Sequence, residues 1–177
     1  MQKAELIKAI KSCAYLEGDF VTRAGNPTHY YIDKYLFSTN PDTLAPLVDA
    51  IVSLLPSPSD YDRLAAPELG AVPIAAVLSV AVKKPFVIVK KESKGYGTQK
   101  VVEGTHHPGE RMVVIEDIIT TGGAALRACE VLTTLGMSVV QVIGVIDREE
   151  GGLANLSDHG FRTKALISRT ELMACTL

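Results

Sequence analysis

Apolar residues recur along this chain in two rhythms. Across residues 4–15, Leu6, Ile7, Ile10 and Ala14 fall on one helical face, which predicts an N-terminal amphipathic helix ended by Gly18. Short β-rich runs follow at 30–33, 63–66, 86–89, 112–115, 139–146 and 163–167. Helical stretches lie between them. One opens at Asn40-Pro41, with Asn as N-cap and Pro at the first helical position, and runs to about Leu54. Others cover 72–82, 124–132 and a segment from about Gly152, and a terminal turn covers 169–173. The run at 112–115 is apolar throughout, as a parallel strand buried on both faces should be.

Strands alternating with helices predict an α/β fold, a doubly wound, mostly parallel sheet with helices on both faces. Such sheets bind ligands at the carboxyl ends of their strands. Pro67 to Gly70, Lys90 to Lys94, Glu116 to Gly123 and Asp147-Arg148 all follow expected strands, so they should converge on one edge. The stretch from Lys90 to Gly109 is polar and rich in glycine and lysine, and reads as a long functional lid. We see no repeat and no linker, and expect one domain over residues 1–177.

Composition narrows the function. The 177 residues are 47% hydrophobic and 21% charged, which suits a globular domain with a full core. A net charge of −2 gives no basic field for nucleic acid. No apolar run reaches membrane-spanning length, and the N-terminus lacks the continuous apolar core of a signal peptide. Three scattered cysteines form no zinc spacing, so reduced thiols and a cytoplasmic setting are expected.

The chemistry concentrates in Met112 to Ala125, MVVIEDIITTGGAA. A buried strand leads to Glu116 and Asp117, then Ile118 and Ile119, then Thr120, Thr121, Gly122, Gly123 and Ala124 at the start of a helix. Backbone N–H groups at a helix N-terminus bind phosphate, and glycine lets the backbone approach it closely. The carboxylates can accept hydrogen bonds from a ribose diol. The plainer reading is a strand-to-helix turn whose acids face water. Neither GxxxxGK[ST] nor GxGxxG occurs, which removes the main support for a nucleoside triphosphate or dinucleotide site.

Lys90, Lys91 and Lys94 put positive charge on the lid beside Tyr96, opposite the phosphate turn. That arrangement suggests a substrate with phosphates at two ends, although a lysine run is also a common solvated face. Arg148 is open to two readings: a clamp on a planar base or carboxylate, or a local ion pair with Asp147 or Glu150. Of Tyr30 and Tyr31, strand alternation turns one inward. The four histidines form no metal-ligand spacing, and no serine or cysteine has a triad partner.

VVIEDIITTGG resembles the phosphoribosyl pyrophosphate motif of the type I phosphoribosyltransferases. FVTRAGNPTHYYID, KKESKGYGT, VVEGTHHPGE and IDREEGG extend the resemblance to the orotate branch, from about residue 15 to 152. The resemblance implies a type I fold with a flexible catalytic loop and a small hood formed by about residues 1–40. Thr120 to Ala124 would hold the 5-phosphate, with Ile118 and Ile119 adjoining. Glu116 and Asp117 would hold the ribose hydroxyls. Lys90, Lys91, Lys94 and Tyr96 would contact pyrophosphate, with Arg23 replacing a usual lysine. Tyr30, Tyr31, Thr120 and Arg148 would surround orotate. Lys94 and Asp117 would be the catalytic pair, Mg²⁺ would arrive on the pyrophosphate rather than in a protein cage, and a homodimer would share the active site. Glu68 and Leu69 stand where some members have Tyr-Lys, and Tyr96 where several have His. A purine-specific relative and a catalytically silent regulator are the alternatives.

Overall fold

The protein is described by a computed structural model covering residues 1–21, 25, 27–91 and 100–177. Two sheets form. The larger has six strands in the order β5-β4-β3-β6-β7-β8: β3 (Arg63–Pro67), β4 (Phe86–Val89), β5 (Val102–Glu103), β6 (Arg111–Ile119), β7 (Ser138–Asp147) and β8 (Thr163–Ser168). All neighbours run parallel except β4 and β5. The smaller sheet is an antiparallel hairpin of β1 (Tyr15–Val21) and β2 (Pro27–Ile32).

Among the described residues, seven helices connect and cover the strands: α1 (Lys3–Ala14), α2 (Lys34–Ser38), α3 (Pro41–Val52), α4 (Val72–Val82), α5 (Gly123–Thr134), α6 (Gly152–Asp158) and α7 (Arg169–Ala174). The periodic segments give the expected elements. Asn40 caps α3, its side chain accepting from Asp42 N–H. Two large apolar clusters of the described residues flank the sheet, beside a small one of Ala66, Ala71 and Ala75. One joins α1 and α3 to residues including Leu64, Ile115 and Ile143; the other joins α5 to Val114, Met112 and Val142. Parallel strands buried on both faces explain the apolar runs read from the sequence.

The sequence reading needs four corrections. Gly18 does not end a helix; it lies inside β1, at the break in the hairpin's register between Glu17 and Phe20. The chain turns through α2 between β2 and α3, where Asp33 caps Tyr35 N–H. The stretch from Lys90 to Gly109 is not one loop, because β5 adds to the sheet edge beside β4. The terminal turn is the helix α7, set by a capping box between Ser168 and Glu171. Among the described residues, no helix is long and apolar enough to cross a membrane.

Candidate active site

The strand β6 runs four residues beyond the apolar run, and this decides where the acids go. Glu116 and Asp117 are not at a solvent-facing turn; they lie inside the strand and are 6% and 2% exposed. Buried carboxylates need partners, and the two acids differ sharply in theirs. Asp117 Oδ1 accepts from Ile118 N–H at 2.6 Å, and Lys34 Nζ lies 2.7 Å from Oδ2. The ammonium approaches Oδ2 off the ideal hydrogen-bond direction, so the contact is an ion pair by charge and distance. Glu116 Oε1 accepts from Asp117 N–H at 3.3 Å, and its Oε2 is buried with no donor among the described residues. Burial first, and the Asp117 charge second, push the Glu116 carboxyl well above the usual range; Lys34 opposes them.

After Ile119 the chain turns through Thr120 and Thr121 into Gly122, whose φ of 80° needs glycine. No side chain caps the start of α5. Glu116, Ile118, Ile119, Thr120, Gly122, Gly123, Ala124 and Ala125 line a small recess there. The turn is pinned from behind by α6. Asn155 Nδ2 donates to Thr121 O at 2.8 Å, and Gly152 packs directly on Ile119 and the Thr120 carbonyl. The Ile119 side chain is buried over Gly144 and Gly152, so it belongs to the core.

The other strand ends reach the same edge. Lys91 N–H donates to Glu68 Oε1 at 2.7 Å, linking the 67–70 turn to the end of β4. Arg127 of α5 donates to Lys91 O at 3.0 Å. Gly70 lies against Asp117 and Lys34. Lys90 is held by Glu103 at 2.8 Å, a contact that β5 makes possible. Arg23, Lys94 and Tyr96 lie outside the described residues.

Arg148 makes the local ion pair with Glu150. Its Nε lies 3.0 Å from Glu150 Oε1, off the ideal hydrogen-bond direction. Its guanidinium also sits 5.5 Å from the Tyr30 ring centroid, with Nη2 donating to the Tyr30 hydroxyl at 3.4 Å. The backbone fixes its place, since Arg148 N–H donates to Ile119 O at 2.8 Å. Asp147 instead accepts from Glu149 N–H. Tyr30 stacks on Tyr15 and packs on the core, while Tyr31 is exposed beside Phe20. The hairpin thus brings one aromatic face to the sheet edge, as the alternation predicted.

Reading the sequence missed Lys34, and it placed Gly70 at this edge without its contact to Asp117. Lys34 stands directly after YYID, but nothing in the sequence joins it to Asp117, 83 positions away. Cys129 offers no nucleophile; burial pushes its thiol up to about 12.

Residues 51–161 match the phosphoribosyl transferase domain. An orotate phosphoribosyltransferase of Methanocella arvoryzae is 41% identical over 170 residues, covering 96% of both chains. The chain belongs to the orotate phosphoribosyltransferase family. The orotate phosphoribosyltransferase of Aeropyrum pernix superposes with a TM-score of 0.85 at 28% identity, covering 97% of this chain and 96% of that one. The Mycobacterium tuberculosis orotate phosphoribosyltransferase in complex with 5-phospho-α-D-ribosyl 1-diphosphate superposes with a TM-score of 0.80 at 25% identity, covering 97% and 98%. The type I phosphoribosyltransferase fold expected from the sequence is therefore the fold of this family member.

Proposed function

We propose that this orotate phosphoribosyltransferase family member transfers ribose 5-phosphate from phosphoribosyl pyrophosphate to a ring nitrogen of orotate. The products are orotidine 5′-monophosphate and pyrophosphate, in de novo pyrimidine synthesis. The observation that carries the proposal is a convergence at one sheet edge. An uncapped helix start with a glycine turn, a buried acid pair, and an arginine over a tyrosine ring all meet there.

In this reading, the turn from Thr120 to Ala124 takes the 5-phosphate through backbone N–H groups and threonine hydroxyls. Glu116 and Asp117 take the ribose hydroxyls, and Arg148 with Tyr30, Tyr31 and Thr120 takes the planar orotate. The orotate nitrogen, its proton given up to solvent, attacks C1 as the bond to pyrophosphate oxygen breaks, so positive charge develops on the ribose ring. The pyrophosphate leaves with the electron pair. Lys94 would act on that leaving charge, and Arg23, Lys90, Lys91 and Tyr96 would contact the pyrophosphate. Mg²⁺, held through the substrate rather than by a protein cage, would neutralise leaving charge. The protein otherwise positions two substrates and excludes water.

We place the enzyme in the cytoplasm as a homodimer with a shared active site, residues 1–40 forming a hood over one domain. A specific feature favours the dimer. Helix α4 carries no charged residue on any face: Ile74, Ala75 and Leu78 are buried, while Val80 is 79% exposed. A helix apolar all round is one that is covered on both sides.

The test offers orotate, adenine and guanine in turn to the protein with Mg²⁺ and phosphoribosyl pyrophosphate. Orotate is expected to be consumed with equal release of pyrophosphate. Consumption of a purine instead selects the purine reading, and binding without turnover selects a silent regulator.

A further inference from the structure

We propose that Lys34 is a positioning residue, holding the Asp117 carboxylate in place for the ribose and tying the base-side hairpin to the phosphoribosyl motif. The inference rests on the functional reading above.

Asp117 is held from three directions. Its own strand supplies Ile118 N–H to Oδ1, α2 supplies Lys34 Nζ to Oδ2, and the 67–70 turn supplies Gly70, packed against both side chains. A buried carboxylate left without a cation is costly. Among the described residues, Lys34 is the cation paired with either acid, and it meets Asp117 alone. Glu116, its neighbour, is left with an unpartnered Oε2. Lys34 therefore makes two adjacent acids unequal: one a fixed anion, the other a group with a vacant oxygen.

The contact is not an incidental surface pair. The Lys34 side chain is only 32% exposed. Burial alone would lower its ammonium pKa; the paired Asp117 carboxylate, with Tyr35 and Glu116, outweighs that and raises it. Its position also matters. Lys34 begins α2 directly after the Asp33 cap, and β2 ends at Ile32, two residues past Tyr30. A base docked on Tyr30 and Arg148 would sit four residues from the lysine that grips the ribose acid.

The test compares Lys34→Met, Lys34→Arg, Asp117→Asn and the double variant Lys34→Met/Asp117→Asn in steady-state kinetics. Lys34→Met should raise KM for phosphoribosyl pyrophosphate by about ten- to a hundredfold, the size of losing one charge-assisted contact. KM for orotate should move by less than about threefold by comparison, and Lys34→Arg should recover most of the loss. The double variant leaves no unpaired charge and should be no worse than Asp117→Asn, because the lysine acts through the aspartate. Additive losses, a shift in orotate KM alone, or wild-type kinetics in Lys34→Met overturn the proposal. If wild-type protein binds phosphoribosyl pyrophosphate without turnover, the functional reading fails instead. The same four proteins then decide the coupling through thermal stabilisation by that ligand, non-additive losses supporting it and additive losses overturning it.

Discussion

Gly70 packs so closely on Asp117 that no side chain fits between them. A Cβ built on Gly70 would lie 1.6 Å from Asp117 Oδ2 and 2.8 Å from Lys34 Cε. Lys34 could swing away, but the carboxylate is anchored by its own strand at Oδ1. Gly70→Ala should therefore push Asp117 out of register and destabilise the fold by about 1–3 kcal/mol, as overpacking does. Steady-state kinetics and denaturant unfolding check both parts. A variant with normal KM for phosphoribosyl pyrophosphate would show that Asp117 does not need this placement.

Gly152 plays the same part behind the turn from Thr120 to Gly123. Its Cβ would lie 2.4 Å from both the Thr120 carbonyl and Ile119 Cγ2, and 2.9 Å from Gly122 N. Two of these atoms are backbone, so the turn itself must move. Gly152→Ala should raise KM for phosphoribosyl pyrophosphate at least about tenfold, since misplaced binding groups lose their effect over small distances. Unchanged KM in the purified, folded variant would remove the turn from the phosphate site.

Arg148 is held on the Tyr30 face by backbone and side-chain contacts. Arg148→Lys keeps the charge but loses the planar fork. It should raise KM for orotate by about tenfold or more while sparing that for phosphoribosyl pyrophosphate, the range expected for one hydrogen bond to a charged group. Equal effects on both substrates would mean that Arg148 supports the site rather than reading the base.

Two acids should shape stability against pH in opposite directions. The Arg63 guanidinium beside Glu110 holds that carboxyl below its ordinary value of 4.5. Its stabilisation is present above the unfolded value and lost as pH falls through the lower, folded one. Glu116 is raised above 4.5, mainly by burial. Its contribution is complete below 4.5 and is lost as pH rises toward its folded value. Glu110→Gln should thus flatten the acid side of the stability curve. Glu116→Gln should leave the fold equally stable or more stable at neutral pH while weakening turnover. Thermal melts across pH 3 to 8 measure both, and a Glu116→Gln protein less stable at pH 7 would contradict the second.

Much of the fold was legible because its signals are local. The helical face of Leu6, Ile7 and Ile10, the Asn40-Pro41 cap and the apolar strand runs each settle a few residues at a time. The errors came where pairing partners are distant or weakly patterned. The strand β1 is mostly exposed and carries Gly18, so its sequence has no buried face to show. The strand β5 is two residues long and exists only because β4 leaves an edge open.

The site divides in the same way. Sequence by itself determined the strand-acids-turn-helix layout, the tyrosine pair and the arginine after β7, because each is contiguous along the chain. Tertiary structure decided that the acids are buried, that Glu150 and Tyr30 share Arg148, and that Lys34 and Gly70 converge on Asp117. Those facts depend on parallel pairing, which brings the ends of β3 and β6 and the start of α2 together across long stretches of chain. Residues so far apart acquire a shared electrostatic environment only when the sheet closes the distance between them.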